Sequence, residues 1–176
     1  RGWVCPGVHV DLDRFTGAEL WYRDPAGTAH RFMFRDQIKE DAAETIAQLR
    51  SMGLESVIIS GDRAVPVASL ARELDISRWD AECRPDMKVH LIDELKKEGY
   101  RPLMVGDGLN DAPALAAGFV SASPASAADI SRTASDIVFQ GKRLAPIVWT
   151  IKIARISQAS MRQNIALAVG YNVLAI

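Results

Sequence analysis

An α/β domain on a parallel sheet is the fold class this sequence predicts, and three observations predict it. Between Asp36 and Val138, apolar stripes at helical spacing alternate with short apolar runs. Two of those runs end in small and acidic residues, Ser60-Gly61-Asp62 and Gly106-Asp107-Gly108. Glycines stand just past two of the helical stripes, at Gly53 and Gly99, where helices commonly terminate. Helices between short strands give parallel pairing with right-handed crossovers. In such sheets chemistry sits beyond the carboxyl ends of the strands.

The elements follow in order. Residues 1–35 alternate apolar and polar side chains in Val8–Leu12, Glu19–Arg23 and Arg31–Phe34, with Asp24-Pro25-Ala26-Gly27 as a turn. This pattern predicts a small antiparallel β unit. Ala42, Ile46 and Leu49 share a helical face. Ser56–Ile59 reads as a buried strand. Val67, Leu70, Ala71 and Leu74 form a second helical stripe, and Lys88, Leu91, Ile92 and Leu95 a third. Leu103–Val105, Phe119–Val120 and Ile137–Phe139 are further short strands. A single sheet is expected to hold 57–59, 103–105 and 119–121 side by side.

Beyond Gly141 the character changes. Lys142, Arg143, Lys152, Arg155 and Arg162 punctuate an apolar, helix-compatible stretch, and no charge follows Arg162. Ile147, Ile151 and Ala154 beside Lys152 and Arg155 read as an amphipathic segment at a membrane face. The run Ile165–Ile176 is shorter than the roughly 20 residues a bilayer requires. Cations that stop where an apolar run starts resemble a cytoplasmic flank, so the run is expected to be a truncated transmembrane helix; a buried core helix is the other reading. The chain starts at Arg1 and stops inside this run, so it is expected to be a piece of a longer polypeptide.

Composition narrows the function. The chain has 176 residues, 48% of them hydrophobic and 24% charged, which suits a packed domain rather than a disordered one. A net charge of -1 gives no support to a nucleic-acid partner. Cys5 and Cys83 read as free thiols, and His9, His30 and His90 lack metal-ligand spacing.

Two loops carry the chemistry. Ser60-Gly61-Asp62 offers a hydroxyl and a backbone N–H at a strand end, a cradle for phosphate oxygens; the same triplet also makes ordinary turns. Gly106-Asp107-Gly108-Leu109-Asn110-Asp111 crowds two carboxylates and an amide behind a strand. Like charges this close repel unless a cation joins them, and hard oxygen ligands of this kind suit Mg²⁺ together with a substrate phosphate. Asn110 or Asp111 could instead cap the next helix. Between the loops, Pro85-Asp86-Met87-Lys88 starts a helix. Its lysine sits in the first turn, where a cation needs an anion nearby.

The order Ser-Gly-Asp, Pro-x-x-Lys, Gly-Asp-Gly-x-Asn-Asp resembles the haloacid dehalogenase-type phosphotransferases. The string Gly106–Leu115 is similar to the hinge motif of heavy-metal P-type ATPases, and Phe34–Lys39 to that family's return from the nucleotide-binding to the phosphorylation domain. The resemblance implies a haloacid dehalogenase-like three-layer parallel sheet, present in part. It divides the chain into the end of a nucleotide-binding domain (1–35), the second half of a phosphorylation domain (36–141) and a membrane-face helix with a truncated transmembrane helix (142–176). It implies that Ser60 and Gly61, followed by Asp62, contact an aspartyl phosphate and that Lys88 neutralises it. It further implies that Asp107 binds Mg²⁺ and that Asn110 and Asp111 tie the hinge loop to the phosphate. ATP is then the phosphoryl donor.

Two departures matter. The Asp-Lys-Thr-Gly nucleophile of the family is absent from the sequence, so the chain alone is expected to be inactive. Its partners would be the nucleophile strand, the actuator domain, other membrane helices and the lipid bilayer. Ser121–Asp129 also replaces the usual Gly-rich segment, and this resembles the subgroup linked to nitrogen fixation and cytochrome oxidase assembly, bacterial inner-membrane copper pumps with a cytoplasmic α/β part. Asn164, Tyr171 and Asn172 resemble the copper-transporting pattern, which implies Cu⁺ as cargo. Side-chain hydrogen bonding between helices is the alternative for these three. A soluble phosphatase of the same fold and a non-catalytic binding module are the alternative functions.

Overall fold

The computed structural model describes residues 18–34, 37–107, 109–141 and 143–175. The expected strand at Val8–Leu12, together with Cys5, His9, Arg35, Asp36 and Gly108, lies outside them. Two compact units divide the chain, Arg1–Gln37 and Ile38–Ile176.

In the first unit, β1 (Ala18–Arg23) and β2 (Ala29–Phe34) pair antiparallel, with Leu20 opposite Phe32 and Tyr22 opposite His30. The turn works as its residues suggest. Asp24 Oδ1 accepts the Thr28 N–H at 2.8 Å, and Gly27 takes the left-handed φ of +89° that a side chain would resist. The Tyr22 and His30 rings stack, and Arg31 lies over the Trp21 ring.

The second unit alternates helix and strand: α1 (Ala42–Ser51), β3 (Val57–Ile59), α2 (Ala64–Glu73), β4 (Arg78–Asp80), α3 (Pro85–Lys97) and β5 (Leu103–Val105). A 3₁₀ turn (Leu109–Asp111) leads into α4 (Ala112–Ala117), then β6 (Val120–Pro124), α5 (Asp129–Thr133), β7 (Ile137–Phe139) and α6 (Ala145–Ala175). All strand pairing in this unit is parallel. Gly53 and Gly99 follow their helices at φ +74° and +91°, as expected of helix ends.

The single expected sheet is instead two. β3 pairs with β4, while β5, β6 and β7 form a separate sheet in that order. Strand β4 was not legible, because Arg78-Trp79-Asp80 carries no apolar alternation and is mostly exposed. Among the described residues each of β3 and β5 has one neighbour, so nothing links the two sheets by hydrogen bonds. Strand β6 is central, and its last four residues are buried, as parallel strands covered on both faces are. Ala122 packs with Phe139 of β7 and Ile147 of α6. Ser121 and Ser123, which face the other way, are also buried.

Helix α6 is one continuous element of 31 residues. Ile147 and Val148 are buried, but residues 152–173 are exposed throughout. The expectation of a transmembrane helix is corrected here: among the described residues no helix is long and apolar enough to cross a membrane. Lys152, Arg155 and Arg162 place charge along this continuous helix.

Candidate active site

The loops that follow β3 and β5 meet at one cleft of about 390 Å³. Ser60, Gly61, Asp62, Lys88, Asp107, Asn110 and Asp111 all line it, with Ile59, Met104 and Val105 of the strands at its floor. Seven residues singled out from three separate motifs are therefore brought together by the crossovers.

The first loop is locally satisfied. Ser60 extends the β3–β4 ladder by donating its N–H to the Asp80 carbonyl at 2.9 Å. Its hydroxyl donates to Asp62 Oδ2 at 2.9 Å, and Asp62 N–H donates back to Ser60 Oγ at 3.1 Å. The connection after β4 holds this loop: Cys83 N–H donates to the Ser60 carbonyl and Glu82 N–H to the Asp62 carbonyl, at 2.9 and 2.8 Å. Glu82 makes that bond from a left-handed φ of +55°.

The second loop is satisfied at long range. Lys88, in the opening turns of α3, is buried, and its Nζ meets Asp111 Oδ1 at 2.7 Å. The anion that a first-turn lysine requires is thus supplied by the hinge loop itself. Asp111 stands at the N-cap of α4 without a side-chain capping bond there; its carboxylate turns to Lys88 instead. A Cβ on Gly106 would lie 2.8 Å from the Asp111 Cβ, so only glycine lets the loop close this tightly. Asp107 and Asn110 are exposed in the cleft, and the Asp107 carbonyl accepts the Ala128 N–H at 3.3 Å.

Cys83 also lines the cleft, which the sequence reading missed. Burial pushes its thiol pKa up, and the nearby Asp80 carboxylate adds to this while Lys88 opposes it. Its position two residues before the Pro85-x-x-Lys88 motif was the available signal. Asn164, Tyr171 and Asn172 are not brought to the cleft. They lie on the exposed part of α6, where Asn172 Nδ2 donates to the Ala168 carbonyl at 2.9 Å within the helix.

Chemically, the donor set fits Mg²⁺. Asp107 offers an exposed carboxylate to a cleft that Asn110 and Ser60 also line. Among the described residues no cluster of three or more His, Cys, Asp or Glu could cage a metal.

Parallel α/β units gather the polar loops at the carboxyl ends of their strands, where open α/β sheets carry their chemistry. The family model of the haloacid dehalogenase-like hydrolases matches residues 14–118, and the chain belongs to that family. It is 49% identical over 146 residues to the nitrogen fixation protein FixI of Rhizobium leguminosarum bv. viciae, covering 83% of this chain and 19% of that protein. Against a copper-transporting ATPase of Helicobacter felis it is 36% identical, covering 80% of this chain and 19% of the relative. A crystal structure of a zinc-transporting PIB-type ATPase superposes with a TM-score of 0.74 at 33% identity, over 80% of this chain and 23% of that one. The chain thus spans about a fifth of the length of the curated relatives it matches.

Proposed function

We propose that this chain is part of an ATP-driven heavy-metal pump that works through an aspartyl-phosphate intermediate formed on a segment outside the chain. The observation that carries this reading is the single cleft joining Ser60, Lys88, Asp107, Asn110 and Asp111. Phosphoryl transfer asks little covalent work of a protein and much positioning and charge neutralisation, which is the work these side chains suit.

In this reading the Ser60 hydroxyl turns from Asp62 to a phosphate oxygen, and the Gly61 N–H donates beside it. Lys88, held in place by Asp111, faces the charge that develops on the phosphoryl group. Asn110 ties the hinge loop to the phosphate. Asp107 would hold Mg²⁺, which when bound would supply positive charge against the phosphate. The nucleophile strand would enter between β3 and β5, whose unpaired edges both border the cleft. Val105, 37% exposed at the end of β5, is an apolar residue left for such a strand to cover.

We further propose the remaining assignments on the resemblance to copper-transporting relatives. Residues 1–35 close a nucleotide-binding domain, 36–141 belong to the phosphorylation domain, and 142–176 connect towards the membrane part of a bacterial inner-membrane pump, the α/β unit being cytoplasmic. Cu⁺ is the proposed cargo, with Asn164, Tyr171 and Asn172 contributing to its path. The copper-transporting relatives support copper, while the zinc-transporting neighbour keeps a divalent cargo as the second reading.

The test is the intact gene product in detergent. It should form an acid-stable, hydroxylamine-sensitive phosphoenzyme from ATP, and Cu⁺ should stimulate its ATP hydrolysis more than Zn²⁺ does. Zn²⁺ stimulation alone would favour the second reading. Hydrolysis of a soluble phosphate ester with no phosphoenzyme would overturn the pump. The 176-residue chain by itself should hydrolyse no ATP.

A further inference from the structure

Asp41 stands at the N-cap of α1, yet its side chain makes no capping bond to that helix. Its carboxylate crosses to the other end of the sequence. Oδ2 accepts the N–H of Leu144 at 2.7 Å and of Ala145 at 2.8 Å, the first amides of α6. At the far end of α1, the guanidinium of Arg155 donates to the Met52 carbonyl at 3.1 Å. Met52 is the C-cap of α1.

The two contacts sit one helix length apart on both partners. Ten residues separate Ala145 from Arg155, and α1 has ten residues; each spans about 15 Å at 1.5 Å per residue. The helices therefore run side by side in the same direction. Parallel neighbours place like dipole ends together. Each contact answers this with the opposite charge: a carboxylate at the amino ends and a guanidinium at a carboxyl end. Between the contacts Ile147 and Val148 are buried. Past Arg155 the helix touches nothing in the described chain that covers it.

We propose that Asp41 and Arg155 are positioning residues that clamp α6 to α1, so that the exposed half of α6 moves as a lever with the body that carries the cleft. The proposal rests on the pump reading for what the lever drives, namely coupling of cargo-metal binding to events in the cleft. Neither residue touches the cleft, so their loss should spare its chemistry and uncouple it from the metal.

The experiment uses the intact gene product with Asp41→Ala, Arg155→Ala, their double variant, and the conservative Asp41→Asn and Arg155→Lys. Hydrogen exchange in the segment 143–148 should quicken at least tenfold in Asp41→Ala. Phosphorylation by inorganic phosphate, which reports an intact cleft, should stay within twofold. Metal stimulation of ATP hydrolysis should fall at least fivefold in the double variant. Asp41→Asn, which keeps an acceptor oxygen, and Arg155→Lys, which keeps a cation, should recover most of it. Unchanged exchange in Asp41→Ala, or full metal stimulation in the double variant, overturns the proposal. So does a parallel loss of phosphorylation and stimulation without rescue, since that is general destabilisation. A wild-type product with no metal-stimulated hydrolysis would sink the pump reading instead, and the exchange data would still decide the clamp.

Discussion

The two loops of the cleft are built by different means. The loop after β3 satisfies its polar side chains within three residues, through the Ser60–Asp62 pair. The loop after β5 depends on α3, 23 positions away, through the part-buried Lys88–Asp111 pair. The difference teaches which residues the fold itself needs. A locally satisfied, exposed loop can lose a side chain cheaply, whereas a buried ion pair cannot lose one partner without stranding the other.

The largest effect should follow from Lys88→Met, which takes the Lys88 cation away from the part-buried Asp111 carboxylate. A loss of about 3 kcal/mol is expected, read from the urea midpoint at unchanged slope. Adding Asp111→Leu should recover much of it, since replacing both partners of a buried pair is often close to neutral. If the double variant is as unstable as Lys88→Met, the pair is not what makes the second loop costly.

The glycines of the two loops sharpen the contrast. Gly106→Ala places a Cβ 2.8 Å from the Asp111 Cβ, and overpacking of this kind costs about 2 kcal/mol. Gly61→Ala meets only the Cys83 carbonyl, at 3.4 Å, so it should stay within about 0.5 kcal/mol. Equal costs in thermal unfolding would erase the distinction between the loops.

A control lies away from the cleft, where Asp136 is held by Ser121. The Ser121 hydroxyl and N–H both donate to Asp136 Oδ2 at 2.8 Å, and they lower its carboxyl pKa below the usual value, the hydroxyl most. A lowered folded pKa contributes stability above the unfolded value, near 3.9, and loses it as pH falls through the folded one. Ser121→Ala should therefore flatten the pH dependence of stability below about pH 4, while Mg²⁺ affinity at neutral pH stays as in the parent. An unchanged acid limb would count against this bond.

The smallest effect on stability is expected from Ser60→Ala. Its hydrogen bond is exposed, so removal should cost below about 1 kcal/mol. In the intact product the same variant should slow phosphoenzyme formation at least tenfold, if the hydroxyl serves the phosphate. Full activity in that variant would leave the first loop as an ordinary turn.

Much of the α/β unit was legible because its signals are local. The stripes of α1, α2 and α3, the apolar runs of β3 and β5, and Gly53 and Gly99 report on periodicity and backbone conformation, which neighbouring residues decide. The carboxyl-end rule then points to the loops after β3 and β5 as the candidate site. Strand β4 was hidden because an exposed Arg-Trp-Asp owes its strand conformation to pairing with β3. The long helix α6 was legible from its helix-compatible stretch.

By itself the sequence determined the fold class, the helix ends and the motifs that bear the chemistry, since each is written in residues close together along the chain. Only the tertiary structure decided which partner each charge would find. Asp41 stands at the N-cap of α1 and serves α6. Asp111 is a plausible cap for α4 and holds Lys88. A carboxylate goes where burial and the nearest unsatisfied donors make its charge least costly, and those donors come from segments 23 and 103 residues away.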